Sequence, residues 1–234
     1  MIKLIFISDT HGKHRDLDND LKALGYDNET IIIHAGDCTN TGKSYELVNF
    51  LGWFGDLPYK HKVFIAGNHD FCFESSTSSP NVYPNISQEF KDKGITYLMD
   101  EMVEIEGLKI YGSPWQPEFY DWAFNVKRGE AIAQKWVKIP EDLDVLITHG
   151  GPYGILDYTY TGVRVGCEEL YKKVMKVRPK IHAFGHIHYA YGYKEFDGMS
   201  FINAASLGEN YEYQNKPIML ILDDDKNIID IKVN

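Results

Sequence analysis

Residues 3–12 read KLIFISDTHG. Leu4, Ile5, Phe6 and Ile7 follow one another without the apolar-polar alternation of a half-exposed strand, which predicts a strand covered on both faces. That strand breaks abruptly into Ser8, Asp9, Thr10 and His11, with Gly12 behind them. The same form returns four times: TIIIHAGD at 30–37, KVFIAGNHD at 62–70, DVLITHGGP at 144–152 and KIHAFGHIH at 180–188. Each apolar run ends in Asp, Asn or His beside a glycine. Helical stretches around 16–24 and over 44–53 separate the first three runs, so the chain opens as β-α-β-α-β with polar residues at the strand ends. Open α/β sheets form their ligand sites at the carboxyl ends of the strands. From the residues alone the fold is α/β with a mostly parallel first sheet.

The remainder is less regular. ESSTSSPNVYPN at 74–85 is rich in Ser and Pro and reads as a loop. Short strands are predicted at ITYLM (95–99), MVEIEG (102–107) and LKIYGS (108–113), and a helix over about 128–137. CEELYKKVMKVR at 167–178 has the spacing of an amphipathic helix, with Pro179 to stop it. SFINAAS (200–206) and PIMLILDDD (217–225) predict later strands, and a turn at 224–227 would fold the second against NIIDIKV as a hairpin. No repeat, linker or low-complexity tail interrupts the chain. A single domain over residues 1–234 is expected.

The chain is 44% hydrophobic and 14% aromatic, enough to bury a sizeable core, and its formal charge is −10. That balance, with no run of Lys and Arg, argues against binding duplex nucleic acid, which calls for basic stripes. An acidic chain that handles phosphate needs local positive charge, and metal ions can supply it. The first apolar run is too short for a signal-peptide core and no run is long enough to span a bilayer, so no membrane association is expected. Cys38, Cys72 and Cys167 show no CxxC spacing and read as reduced thiols of a cytoplasmic protein.

Five strand ends thus carry one kind of chemistry: Asp9 with His11; Asp37; Asn68 with His69 and Asp70; His149; and His186 with His188. Any one pair could be incidental, and GHIH could be a surface strand with stray histidines. Five in succession point to ligands. On an extended segment His186 and His188, at i and i+2, would face the same way, and Gly185 would let the backbone approach something closely. Carboxylate and imidazole without cysteine suit Mn²⁺, Fe, Zn²⁺, Co²⁺ or Ni²⁺, not a structural thiolate zinc site. Two carboxylates against two divalent ions leave a charge of about +2, a match for a phosphate dianion.

The order D-x-H, G-D, G-N-H-D, H, G-H-x-H resembles that of the calcineurin-like metallophosphoesterase superfamily, with all five blocks present. The text around them, including LPYKHKVFIAGNHD, YGSPWQPEF, WAFN, THGGP, RVGCEEL and RPKIHAFGHIH, is similar to the metallophosphoesterase-domain-containing (MPPED) group from about Lys3 to Ser206. Some animal relatives in that group have glycine where this chain has His186, which weakens their second metal site. THGGP also departs from the commoner pattern, which has proline in place of Gly151.

The resemblance implies a four-layer αββα sandwich of two mixed sheets flanked by helices. It also implies a centre of two divalent ions, with Mn²⁺ foremost. Asp9, His11 and His188 would hold the first ion, Asn68, His149 and His186 the second, and Asp37 would bridge them. A hydroxide shared by the ions would attack phosphorus while Asn68 helps to neutralise the phosphoryl oxygens. His69 would protonate the leaving oxygen, its ring held by Asp70, which could also act as a helix or turn cap. The implied activity is hydrolysis of phosphodiesters, either cyclic nucleotides or other small nucleotide esters. A nucleoside monophosphate phosphatase and a nucleotide-binding scaffold with weak catalysis are the alternatives.

Other residues stay open. His34 reads as a packed or supporting histidine, and His14, His61 and His182 as surface or supporting ones. Arg164 could reach a phosphate or form a structural salt bridge. YGSPWQPEFYDWAFN at 111–125 is either a lid packed on the core or, through Trp115 and Phe119, a stacking face for a nucleobase.

Overall fold

Alternate side chains of β1 (Ile2–Ile7) enter two different cores, and this sets the layers of the structure. The structure, a computed structural model, describes residues 1–25, 27, 29–74 and 86–233. From β1 the chain passes through a 3-10 turn (His14–Leu17) to α1 (Asp18–Leu24), β2 (Thr30–His34), α2 (Ser44–Asp56), β3 (His61–Phe64), α3 (Ile86–Asp92) and β4 (Ile95–Tyr97). β5 (Glu101–Ile105) pairs with β6 (Leu108–Ser113), followed by two short strands, β7 (Gln116–Pro117) and β8 (Asn125–Val126). Then come α4 (Glu130–Trp136), β9 (Val145–Thr148), α5 (Glu168–Val177) and β10 (Ile181–Phe184). β11 (Gly192–Phe196), β12 (Met199–Asn203), β13 (Ile218–Leu222) and β14 (Ile228–Lys232) follow.

The strands form two six-stranded sheets, ordered β14-β13-β1-β2-β3-β4 and β11-β12-β10-β9-β6-β5. Both are mixed. β1, β2, β3 and β4 run parallel in the first, with β13 antiparallel to β1 and β14 antiparallel to β13. β12, β10, β9 and β6 run parallel in the second, with β11 and β5 antiparallel at its edges. Leu4, Phe6 and Ile33 of the first sheet meet Val145, Ile147 and Ile202 of the second in the core between them. On the outer face of the first sheet, Ile5, Ile7 and Phe64 pack under Leu21 of α1 and Phe50 and Phe54 of α2. On the outer face of the second, Leu146 and Phe184 pack under Trp136 of α4 and Leu170 of α5. The result is the αββα sandwich that the resemblance implied.

Some boundaries differ from the sequence reading for local reasons. The helix expected at 16–24 divides into the 3-10 turn and α1. α4 starts at Glu130, because Gly129, at φ +81°, turns the backbone just before it. β11 was not anticipated; its GYKEF segment is a largely exposed edge strand held by antiparallel pairing with β12. Of the loop predicted at 74–85, residues 75–85 lie outside the described residues. Among the described residues no helix is long and apolar enough to cross a membrane.

The loops that leave the strands are zipped to one another. Beyond β1 and β2 the pairing continues, with Asp9 N–H on the Gly36 carbonyl, His11 N–H on Asp37 and Gly12 N–H on Cys38. Ser8 and Ala205 form a parallel bridge, so the carboxyl ends of the two sheets meet at one place. Of the two roles open to Asp70, the structure shows the cap and not a contact with the His69 ring: its carboxylate is the staple of this region. Its buried carboxylate accepts from Thr39 N–H (2.9 Å), the Thr39 hydroxyl (2.7 Å), Cys38 N–H (3.2 Å) and Gly67 N–H (2.9 Å). Burial and the neighbouring Asp37 charge push its pKa up to about 6 against the pull of these donors. A buried donor left without a partner costs about 1–3 kcal/mol. Asp70→Ala is therefore expected to lower stability by at least about 2 kcal/mol in urea unfolding, and a loss below about 0.5 kcal/mol would show that the loops hold without it.

Candidate metal centre

The side chains gathered at this junction stand on backbone that L-residues avoid. Asp9 (φ +52°), His11 (φ +40°), Asp37 (φ +58°) and His186 (φ +68°) all lie in the left-handed region. Such strain costs about 1–3 kcal/mol per residue and persists where the surroundings over-determine it. Two glycines supply the room. A Cβ at Gly185 would overlap the Asp9 carboxylate and Ser8 Oγ, and one at Gly67 would strike Asp37 and lie 2.6 Å from His149 Cε1.

Three groups of donor atoms result, each with all members within 4.8 Å of one another: Asp9, His11 and His188; His11, Asp37 and His69; and Asp37, His149 and His186. Shared members make them one continuous centre, with Asp37 common to two. Asp9 and His149 are 0% exposed, Asp37 2% and His11 3%. Asn68, also buried, brings Oδ1 within 2.9 Å of His149 Nε2.

The ring nitrogens decide what chemistry the gap calls for. Nδ1 of His11, His149 and His188 lies 3.2, 2.9 and 3.1 Å from the carbonyls of Thr39, Ala35 and Gly208. A carbonyl oxygen accepts and never donates, so each Nδ1 carries a hydrogen and each Nε2 is turned inward. His149 Nε2 and His188 Nε2 face Asp37 and Asp9 oxygens at 3.2 and 3.4 Å, and His11 Nε2 faces Asp37 at 3.7 Å. Lone pairs facing carboxylates repel unless a cation, a proton or a metal ion, stands between them. Burial disfavours a charged His149 or His188, yet Asp37 raises the first to about 9 and Asp9 the second to about 9. Metal ions would displace those protons.

Burial pulls His11 down to about 4 and His186 to about 3, so each offers a lone pair at neutral pH. His11 Nε2 is buried with no hydrogen-bond partner among the described residues. Burial alone would raise both carboxylates. The hydrogen bond and charge of His188 hold Asp9 well below the usual range, and the charge of His149 does the same for Asp37. An Nδ1–H on a carbonyl with a free Nε2 is the arrangement of metal-ligating histidine. The residues fit divalent ions.

GHIH reaches the centre by a different route from the one expected. β10 ends at Phe184, so strand alternation does not align His186 and His188. The left-handed His186 makes a bend, its N–H donating to both Asp9 oxygens at 3.0 Å, and His188 opens a 3-10 turn. The two histidines therefore enter different donor groups.

His69 is half-buried beside His11 and Asp37. Its N–H donates to Asp37 Oδ1 at 2.8 Å, and its Nδ1 lies 2.7 Å from the Asn40 carbonyl, the contact that replaces the expected one with Asp70. Trp122 stacks on the His69 ring at 3.9 Å. Tyr211 packs edge-on against His11 and His188 at 4.9 and 5.1 Å. Neither Trp122 nor Tyr211 was singled out from sequence. Trp122 is one aromatic among several in YGSPWQPEFYDWAFN, and Tyr211 sits in GENYEYQ, which shows neither apolar period nor strand end.

The remaining candidates scatter. Phe119 is 50% exposed, with its ring 6.0 Å from that of His186. Trp115, offered as a stacking face, is packed away: its indole N–H bonds Asp100 at 3.1 Å and Lys135 Nζ lies 3.3 Å over its ring. Arg164 pairs with buried Asp157 at 2.8 Å, the structural salt bridge of the two alternatives. His34 supports the loops, bonding the Thr10 hydroxyl at 3.0 Å and accepting from Gly36 N–H at 3.2 Å. His14 and His182 are fully buried, against the surface alternative, and His61 pairs with Glu106. At Gly151 the Phe184 ring fills the place of a side chain, 2.6 Å from an ideal Cβ.

The family model for calcineurin-like phosphoesterase matches residues 2–190. Metallophosphoesterase domain-containing protein 1 of Homo sapiens is 38% identical over 244 residues, covering 96% of this chain and 72% of that protein. Phosphopantetheinyl hydrolase from Mycobacterium tuberculosis superposes with a TM-score of 0.56 at 14% identity, covering 89% of this chain and 90% of that one. A novel archaeal phosphodiesterase does so with a TM-score of 0.51 at 16% identity, covering 100% of both chains. At such identities the two structures speak for the fold alone. The length of the family match and the identity to the human protein establish that the chain belongs to the calcineurin-like phosphoesterases.

Proposed function

We propose that the chain is a dinuclear metal-dependent hydrolase of small phosphodiesters, nucleotide esters foremost. The observation that carries this reading is the set of Nε2 atoms of His11, His149 and His188, each backed by a carbonyl and aimed at Asp9 or Asp37. Asp9, His11 and His188 would hold one ion, Asn68, His149 and His186 the other, with Asp37 common to both and Mn²⁺ the favoured metal. Such ions supply charge to offset phosphoryl oxygens and lower the pKa of a bound water toward neutrality.

The chain's own groups do the rest. His69 keeps its Nδ1 hydrogen on the Asn40 carbonyl, which leaves Nε2 to deliver a proton to the leaving oxygen. The aromatic rings of Phe119 beside His186 and of Tyr211 beside His11 and His188 border the donors, and nucleobases stack on such faces. A chain charge of −10 disfavours long polyanions, so a small diester is favoured over DNA or RNA.

EDTA is expected to abolish hydrolysis of bis-p-nitrophenyl phosphate, and added Mn²⁺ to restore it; full turnover in chelator would end the metal mechanism. His186→Gly, assayed in excess Mn²⁺, should lower kcat by more than about tenfold, roughly 1.4 kcal/mol of barrier. A smaller change would favour a nucleotide-binding protein with weak catalysis. Because a base stack is worth about 1–3 kcal/mol, Phe119→Ala should raise KM for cyclic nucleotides and spare bis-p-nitrophenyl phosphate. Equal effects on both would remove Phe119 from substrate recognition. Faster cleavage of nucleoside monophosphates than of cyclic diesters would make the chain a monophosphatase.

A further inference from the structure

We infer that Trp122 is a positioning residue for His69, holding the imidazole in the orientation from which Nε2 delivers its proton. The inference rests on the proton-donor role proposed above. Its starting point is how little else fixes this ring. His69 is half-buried, and its one side-chain hydrogen bond among the described residues, Nδ1 to the Asn40 carbonyl at 2.7 Å, leaves the ring free to swing about that contact. The indole of Trp122 covers one face, with centroids 3.9 Å apart and planes inclined by 28°, and His11 stands edge-on at 4.6 Å. A carbonyl at one nitrogen, an indole on the face and a ring at the edge together leave one orientation.

The segment that carries Trp122 is built to stay in place. Ala123 N–H donates at 3.0 Å to the carbonyl of Asn68, the residue before His69. Phe124 N–H donates to Glu74 at 2.6 Å, and the Asn125 amide to the carbonyls of Phe119 and Tyr120 at 3.1 and 2.7 Å. Tyr120 and Phe124, on either side of Trp122, are both left-handed, at φ +48° and φ +56°. A strained, doubly anchored bend therefore presents the indole to His69. Among the described residues Trp122 belongs to none of the three hydrophobic cores; its ring neighbours are His69 and Phe71. Packing of the fold does not account for it.

In the step concerned, a water-derived hydroxide bonds to phosphorus while the bond between phosphorus and the leaving oxygen breaks, its electron pair staying on that oxygen. The oxygen takes the proton from Nε2, and His69 ends neutral with Nδ1–H still on Asn40. A misaligned ring hurts most where the leaving oxygen most needs the proton, so the effect of Trp122 should track leaving-group basicity.

The test compares bis-p-nitrophenyl phosphate, whose leaving group needs little help, with diphenyl phosphate, whose leaving group is more basic. Wild type, Trp122→Leu, Trp122→Phe, His69→Asn and the His69→Asn, Trp122→Leu double variant are assayed with Mn²⁺, and their metal content is measured. Trp122→Leu should lower kcat on diphenyl phosphate by about tenfold or more, within the range of general-acid effects, with little loss on the nitrophenyl ester and unchanged metal content. Trp122→Phe, which restores a planar face, should recover most of that loss. The double variant should be no slower than His69→Asn alone, as expected for residues acting through one group. Equal losses on both esters, full activity of Trp122→Leu, or a loss that adds to that of His69→Asn would overturn the inference. If His69→Asn itself shows no leaving-group dependence, the donor role fails and takes this inference with it. If His69→Asn shows that dependence and Trp122→Leu does not, the inference fails alone.

Discussion

Two carboxylates buried side by side, Asp9 and Asp37, are the constraint to which the rest of the structure answers. A charge taken out of water is expensive unless partners compensate it. Backbone donors do so first: His186 N–H serves Asp9 and His69 N–H serves Asp37. Imidazoles do so next, from strand ends in both sheets. No single sheet could bring them together, since β1, β2 and β3 lie in one and β9 and β10 in the other. The sandwich is thus the scaffold that lets the backbone N–H of His186 donate to the carboxylate of Asp9, 177 residues away in sequence.

A mostly parallel α/β sheet and most of the candidate donors were legible in the chain itself, whereas the paired sheets came from the resemblance. Continuous apolar runs such as Leu4–Ile7 must be covered on both sides, and the Asp, Asn and His residues that end them must then face a common edge. What lay hidden were contacts between loops. Asp70 sits next to His69 in sequence, and the resemblance implied a partnership between them. Its carboxylate instead turns to the backbone of Thr39, 31 residues away, where it accepts from a buried N–H group. The alignment of His186 with His188 was inferred from strand geometry, but positive φ at His186 is a tertiary outcome that no period-two pattern encodes. Trp122 and Tyr211 illustrate the same limit. Aromatic residues in irregular loops carry no periodic signal, and their place is set by bonds such as Ala123 N–H to the Asn68 carbonyl.

The left-handed backbone of His186 has a consequence for how such a chain drifts under mutation. Glycine adopts φ +68° freely, whereas histidine is strained there. Replacing this residue by glycine would remove a candidate ligand and at the same time relax the fold. Selection for stability alone therefore runs against the histidine, and the chain gains robustness by losing one arm of its centre. Position 185 obeys the opposite rule, since anything larger than glycine there collides with Asp9. The two neighbours divide the pressures between them: Gly185 is kept by the fold, whereas only the proposed reaction would keep His186.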